Sequence, residues 1–263
     1  MRTDAFIATI VLCALITPSI VWLIVRYCGK AATLRTRDWL ALYALGALLC
    51  VVVLQRKHLE AAIIMRWPRA YWAYTLAQVD NEWWEQLGKL VAMVIVLRLA
   101  GDRLRSLFRE KRTALAVGYW TGLCYGMGEA LILAILFTVP QWGRFFGMQT
   151  FTPYMVGWAY VRERLWAMHL HAIMGALIGL GLYGLIGLGS KARFASFFIL
   201  AMLYHHFVDG LIISAAFVPD LAKIMRQAGE LLVPALLAVG LALLCLAYRV
   251  AGSRQQTGAS PQW

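Results

Sequence analysis

The feature that most constrains this chain is a succession of apolar runs at 5–25, 39–55, 81–100, 114–139, 164–188, 194–217 and 230–248. Each is long enough to cross roughly 30 Å of hydrocarbon as a single helix. In lipid every backbone N–H and C=O must be satisfied within the protein, so only helices and closed barrels can span. Uninterrupted runs of this length predict helices. The expected fold is therefore all-α, a polytopic bundle of about seven transmembrane helices. Composition agrees, with 62% hydrophobic and 14% charged residues, where a soluble domain carries roughly 25% charged residues. The first run is too long for the apolar core of a signal peptide, and no small-residue cleavage motif follows it, so it is expected to remain as a span.

The formal net charge of +12 is gathered in short clusters between these runs. That is how orientation signals are distributed, whereas a nucleic-acid groove needs one continuous basic face with interleaved stacking aromatics. No nucleic-acid partner is expected. Segments 26–38, 101–113, 189–193 and 249–263 carry thirteen Lys and Arg, against nine in the alternate connections. The positive-inside rule then places the N-terminus outside and the C-terminus in the cytoplasm. Within 58–80, Arg66, Pro68 and Arg69 interrupt apolar clusters rich in Trp and Tyr, which predicts one interfacial helix at headgroup level. Residues 1–251 are read as a single transmembrane domain, and 252–263, polar with Gly, Ser and Pro, as a flexible cytoplasmic tail. Cys13, Cys28, Cys50, Cys124 and Cys245 fit no C-x-x-C spacing and read as small packing residues.

An ionisable group at bilayer depth costs at least ~2.5–3.5 kcal/mol, so each needs a partner or a function. The run at 81–100 opens NEWWEQLGK, which puts Glu82, Glu85 and Lys89 on one helical face. A plain Glu85–Lys89 ion pair near the membrane surface is the structural alternative. In 114–139, Gly118, Gly122 and Gly126 recur every fourth residue and Glu129 continues their stripe. Small residues at that spacing permit close helix contact and turn Glu129 into the bundle. In 164–188, Arg164, Met168, His171 and Gly175 share a face, while His169 lies on the other side. In 194–217, His205 and His206 precede Asp209 by four and three residues, so either imidazole can meet the carboxylate. Rising ~1.5 Å per residue, Glu85, Glu129, His171, His205 and Asp209 all fall in the outer half of the bilayer. One water-accessible cavity accounts for that agreement.

Four ordered motifs carry a resemblance: E-Q-L-G-K at Glu85–Lys89, Y-G-M-G-E at Tyr125–Glu129, E-R at Glu163–Arg164 followed by His171, and H-H-F-V-D at His205–Asp209. Together they resemble the PrsW and YhfC-type intramembrane proteases of the CAAX-protease and bacteriocin-processing superfamily. Its patterns are E-E-x-x-K/R, F-x-x-x-E/H, an isolated His and H-x-x-x-D/N, each on its own helix in this order. The resemblance covers about 82–210. Gln86 stands where the pattern has a second Glu, and Tyr125 where it has Phe.

The resemblance implies hydrolysis of a peptide bond in a membrane-anchored protein substrate, within a bacterial inner (plasma) membrane. Peptide hydrolysis needs an activated water and donors for a developing oxyanion. Glu85 is the expected base, Glu129 helps hold a proton, and His171 and His205 are donors, with His205 oriented by Asp209. Lys89 and Arg164 support the charges. A metal-dependent version of the same site is equally implied: His171, His205, Glu129 and Asp209 suffice for one divalent ion such as zinc, with a position left for water. The cofactor expectation is accordingly none or one divalent metal. Two other readings compete. Buried Glu, His and Asp also serve proton-coupled transporters and polar-solute binders, and the change at Gln86 allows a catalytically inactive scaffold of the same fold.

Overall fold

The computed structural model of the 263-residue chain describes residues 3–28, 35–67, 70–139, 141, 157–218, 220–221, 223–224 and 231–252. Helices account for nearly all of them, and no strand occurs among the described residues. The elements are α1 (Thr3–Thr9), a π-helical segment (Ile10–Ile16), α2 (Thr17–Cys28), α3 (Thr36–Leu54), α4 (Lys57–Arg66) and α5 (Tyr71–Ala100), followed by α6 (Asp102–Leu107), α7 (Lys111–Thr138), α8 (Gly157–Ile186), α9 (Lys191–Phe217) and α10 (Leu232–Gly252).

Six helical stretches among the described residues are long and apolar enough to cross a membrane: Thr3–Tyr27, Thr36–Arg66, Lys111–Thr138, Gly157–Ile186, Lys191–Leu211 and Leu232–Gly252. Their outer surfaces invert the pattern of a soluble protein. Ile7, Leu15, Ile20 and Leu23 on the first, and Leu241, Leu246 and Val250 on the last, all stand exposed. The protein is an integral membrane protein.

The run expected at 81–100 lies in α5, which begins ten residues earlier, at Tyr71. At 30 residues it is about 45 Å long. It carries Asp80, Glu82, Glu85 and Lys89, and the last three are buried against neighbouring helices. The interfacial helix expected over 58–80 is not one element. Its first part forms α4, and 71–80 continue without a break into the charged middle of α5. Trp67 packs on Trp72 across the junction, with ring centroids 4.9 Å apart, whereas Pro68 and Arg69 lie outside the described residues. So do Lys30, Arg144, Arg226 and the tail 253–263, while Gly252 closes α10.

Local chemistry sets several helix ends. Asp38 accepts from the Arg35 backbone N–H at 3.1 Å and starts α3, and Ser190 Oγ accepts from Arg193 N at 3.3 Å and starts α9. Gly101 and Gly189 stop α5 and the α8–α9 connection with φ of 63° and 64°, in the left-handed region that costs glycine least.

The central pair is α7 and α8, which pack along one another more extensively than any other two elements. The cause is the glycine stripe. A Cβ at Gly118 would lie 2.3 Å from Gly175 O, one at Gly122 2.1 Å from His171 O, and one at Gly179 2.2 Å from Ala114 O. Only glycine permits these backbones to meet. Cys13, Cys50 and Cys124 are buried packing residues, while Cys245 is exposed.

Around that pair, α3 packs on α7, α5 and α9 lean on α8, and α10 lies against α8. Helices α3 and α10 both reach the central cavity, through Leu54 and through Leu232, Val233 and Leu236. At one end of the bundle Lys111 Nζ donates to Tyr248 O at 3.1 Å and Arg193 Nη1 to Ala251 O at 3.1 Å. These cations satisfy the terminal carbonyls of α10 and meet its negative dipole end. At mid-length Tyr204 Oη donates to Leu236 O at 2.8 Å, in the space left by Gly240.

Candidate active site

At the opposite end of the bundle a cavity of about 250 Å³ opens between α5, α7, α8, α9 and α10. Glu85, Glu129, Arg164, His171, His205 and Asp209 all line it. The five residues singled out as catalytic, with Arg164, therefore share one space although they come from four helices.

Each carboxylate has a different setting. Glu129 Oε2 lies 2.9 Å from His171 Nε2 and 3.1 Å from Arg164 Nη1. Arg164 also forms a two-pronged bond to Glu163, so one guanidinium is shared by two carboxylates. The glycine stripe makes this possible, since Gly126 lets Met168 and His171 press against α7 beside Glu129. Asp209 Oδ2 lies 3.2 Å from His205 Nε2 and accepts from Gln78 Nε2 at 2.7 Å. Of the two adjacent histidines, His205 joins the site, and His206 turns to Glu82, its Nδ1 2.8 Å from Glu82 Oε1.

Glu85 differs from both. Its Oε2 is buried and has no hydrogen-bond partner among the described residues, yet three polar atoms surround it: Lys89 Nζ at 3.7 Å, His171 Nδ1 at 3.7 Å and His205 Nε2 at 3.8 Å. These separations exceed hydrogen-bond length. His171 Nδ1 likewise has no partner among the described residues. In a neutral His171, Nε2–H donates to Glu129, which Arg164 also holds, and Nδ1 is left with a lone pair. Two buried acceptors then lie 3.7 Å apart, too close for a water between them, and a donor such as water reaches both only when the surrounding side chains shift. Lys89 is fully buried, with Nζ 4.3 Å from the Tyr125 ring centroid, so the Glu85–Lys89 pair is internal and not the surface pair considered from sequence.

The metal set drawn from the sequence does not fit this arrangement. His171 and Glu129 bond each other, as do His205 and Asp209, so the four donors do not aim at a common point. Among the described residues no three His, Cys, Asp or Glu side chains could hold a metal ion.

Residues not singled out from sequence complete the site. Gln78 anchors Asp209, and Gln86 Nε2 lies 2.9 Å from His205 Nδ1. A signal for both was present, because 78, 82, 85, 86 and 89 recur at the spacing of one helical face. At the cavity mouth Arg56 pairs with Asp80 at 2.6 Å and with Asn81 and Glu60, fastening the α3–α4 junction to α5. His169, expected on the far side of its helix, meets the Tyr119 hydroxyl at 2.8 Å, away from the cavity. Comparison with known protein families, curated proteins and solved structures finds no match to this chain.

Proposed function

We propose that this protein is an intramembrane hydrolase that cuts a peptide bond of a membrane-anchored protein, with Glu85 as the base. The observation that carries the reading is the buried Glu85 Oε2, which has no hydrogen-bond partner among the described residues and lies 3.7–3.8 Å from His171 and His205 at the cavity wall and from Lys89 behind it. A carboxylate used only for packing fills its hydrogen bonds, and leaving one empty costs about 1–3 kcal/mol or more. A general base must keep one oxygen free for the proton it removes. Water admitted beside Glu85 as the side chains part donates to Glu85 Oε2 and attacks the carbonyl carbon. His205 donates to the developing oxyanion, Lys89 supports the Glu85 charge from behind the cavity wall, and Glu85 returns the proton to the leaving amine. Arg164 and Glu129 hold His171 so that its free nitrogen faces the water. The ordered motifs shared with PrsW and YhfC-type proteases favour the same chemistry.

For topology we propose that α5 is the seventh span, its polar face covered by α8 and α9. The N-terminus is then outside and the cavity opens in the outer half of a plasma membrane. A single-span substrate with a cleavable bond near that depth is the partner this placement suits.

The test compares cells carrying the wild-type chain or Glu85→Gln, with new protein N-termini in their membranes labelled and sequenced. Termini present only with the wild-type chain are expected. Identical sets overturn the hydrolase reading, and dye-reported proton movement across liposomes holding the purified protein would then move it to a transporter.

A further inference from the structure

Gln86 is the position at which the sequence departs from the two-glutamate motif, and the structure gives that departure a function. Its side chain is fully buried. The terminal nitrogen faces His205 Nδ1 at 2.9 Å and Met174 Sδ at 3.5 Å, while Oε1 has no partner among the described residues. The two ends of an amide are told apart by their surroundings. A thioether can only accept, so the end between Met174 and His205 is the NH₂. Turned over, the amide would set its oxygen against the sulfur lone pairs.

An amide NH₂ can only donate. His205 Nδ1 must therefore be the acceptor, and the ring proton of the neutral imidazole must sit on Nε2. That proton points to Asp209 Oδ2 at 3.2 Å, with Glu85 Oε2 at 3.8 Å. We propose that Gln86 is a positioning residue that fixes His205 as the Nε2–H tautomer, so that it presents a hydrogen-bond donor, not a lone pair, to the cavity. The assignment accounts for the misfit of the metal set, because a nitrogen that carries a proton has no pair to give an ion. A glutamate at 86 would reverse the demand. Its carboxylate accepts only, so Nδ1 would have to carry the proton.

The tautomer stands on its own, whereas its use as an oxyanion donor rests on the hydrolase reading. The experiment separates the two. The full-length protein, with ring-¹⁵N histidine and reconstituted in lipid nanodiscs, gives imidazole signals for its five histidines, and His205 is assigned by its loss in His205→Gln. In the wild type His205 Nδ1 is expected to resonate as an unprotonated nitrogen and Nε2 as a protonated one. In Gln86→Glu, Nδ1 becomes protonated, and in Gln86→Met, which keeps bulk and loses the donor, the two tautomers mix. The reverse tautomer in the wild type, or a His205 spectrum identical in all three proteins, overturns the proposal. Once a substrate is in hand, Gln86→Glu should lower kcat at least ~10²-fold with little change in KM, since a wrong histidine tautomer costs about 10⁴ in a serine protease. If the signals shift as expected and kcat does not, the positioning stands and the hydrolytic role of His205 falls.

Discussion

His171 stands between two glutamates, with Nε2 2.9 Å from Glu129 and Nδ1 3.7 Å from Glu85, so one ring joins a carboxylate held by Arg164 to an oxygen with no hydrogen-bond partner among the described residues. The difference between those two carboxylates is the basis for assigning them different roles.

Glu85→Gln should leave a folded and inactive protein. Glutamine keeps the shape and loses the base, which costs ~10²–10⁴ in rate. The measurement is cleavage of a reconstituted substrate beside thermal stability in detergent. Near-normal turnover in Glu85→Gln with an inactive Glu129→Gln would move the base to Glu129. Full activity in both would sink the hydrolase reading.

Glu82→Gln separates proximity from participation. By sequence Glu82 lies one turn nearer the surface than Glu85, where its loss would be nearly silent. The structure buries it against His206, so the expected effect is a loss of stability of about 1.5–3 kcal/mol, the worth of a hydrogen bond to a charged group. Turnover per folded molecule should persist. Melting and activity measured on one preparation check both parts.

Arg164→Ala removes the cation shared by Glu129 and Glu163. Breaking a buried pair costs about 3–5 kcal/mol, and because Glu129 and Glu163 are half-buried the loss here should fall below that; Arg164→Lys should restore only part of it, because an ammonium lacks the fork that reaches both partners. Detergent melting curves of the two variants test the order wild type, lysine, alanine.

Gly122→Ala and Gly210→Ala form a matched pair within helices. The first would place its Cβ 2.1 Å from His171 O, whereas the nearest atom to the second is His206 Nε2 at 3.9 Å. The first should destabilise by about 1–3 kcal/mol or more and loosen the Glu129–His171 bond. The second should be neutral or gain up to ~1 kcal/mol of helix propensity. Equal melting temperatures would disprove the backbone contact.

Single cysteines introduced at 105–110 of a protein cleared of its own thiols should be labelled from the cytoplasmic side only. Outside labelling overturns the seven-span orientation. Exhaustive chelation, followed by elemental analysis and an activity assay, should leave turnover intact. Loss of turnover that zinc restores would show that the His205 environment rearranges to bind an ion.

The helices were legible wherever apolarity was continuous, because hydrophobic length alone marks a span. The glycine stripe was legible too, since its four-residue spacing describes a helix face and Glu129 continues it. What the sequence left open depends on contacts between distant helices. Nothing local told His205 from His206, because both sit within one turn of Asp209, and only the rotation of α9 against α5 sends one to the cavity and the other to Glu82. Gln78, Glu60 and Asp80 fall within 58–80, which its Trp-rich and charged sequence places at headgroup level. They became site and rim residues once α5 proved continuous from Tyr71. Gln86 differs from the motif by one atom type, and its contact with His205, 2.9 Å away on another helix, has no local signal in the sequence.

The contact of α7 with α8 runs backbone against backbone at Gly118, Gly122 and Gly175. Most helix pairs meet through side chains, whose rotameric freedom acts as a spring between the two axes. Here no such spring exists, and the separation of Glu129 from His171 inherits the stiffness of two main chains. Lipids that thicken or thin the bilayer can tilt this pair only as one rod. Any change in the shape of the cavity must therefore come from the helices around it, with α7 and α8 acting as the fixed jaw of a vice.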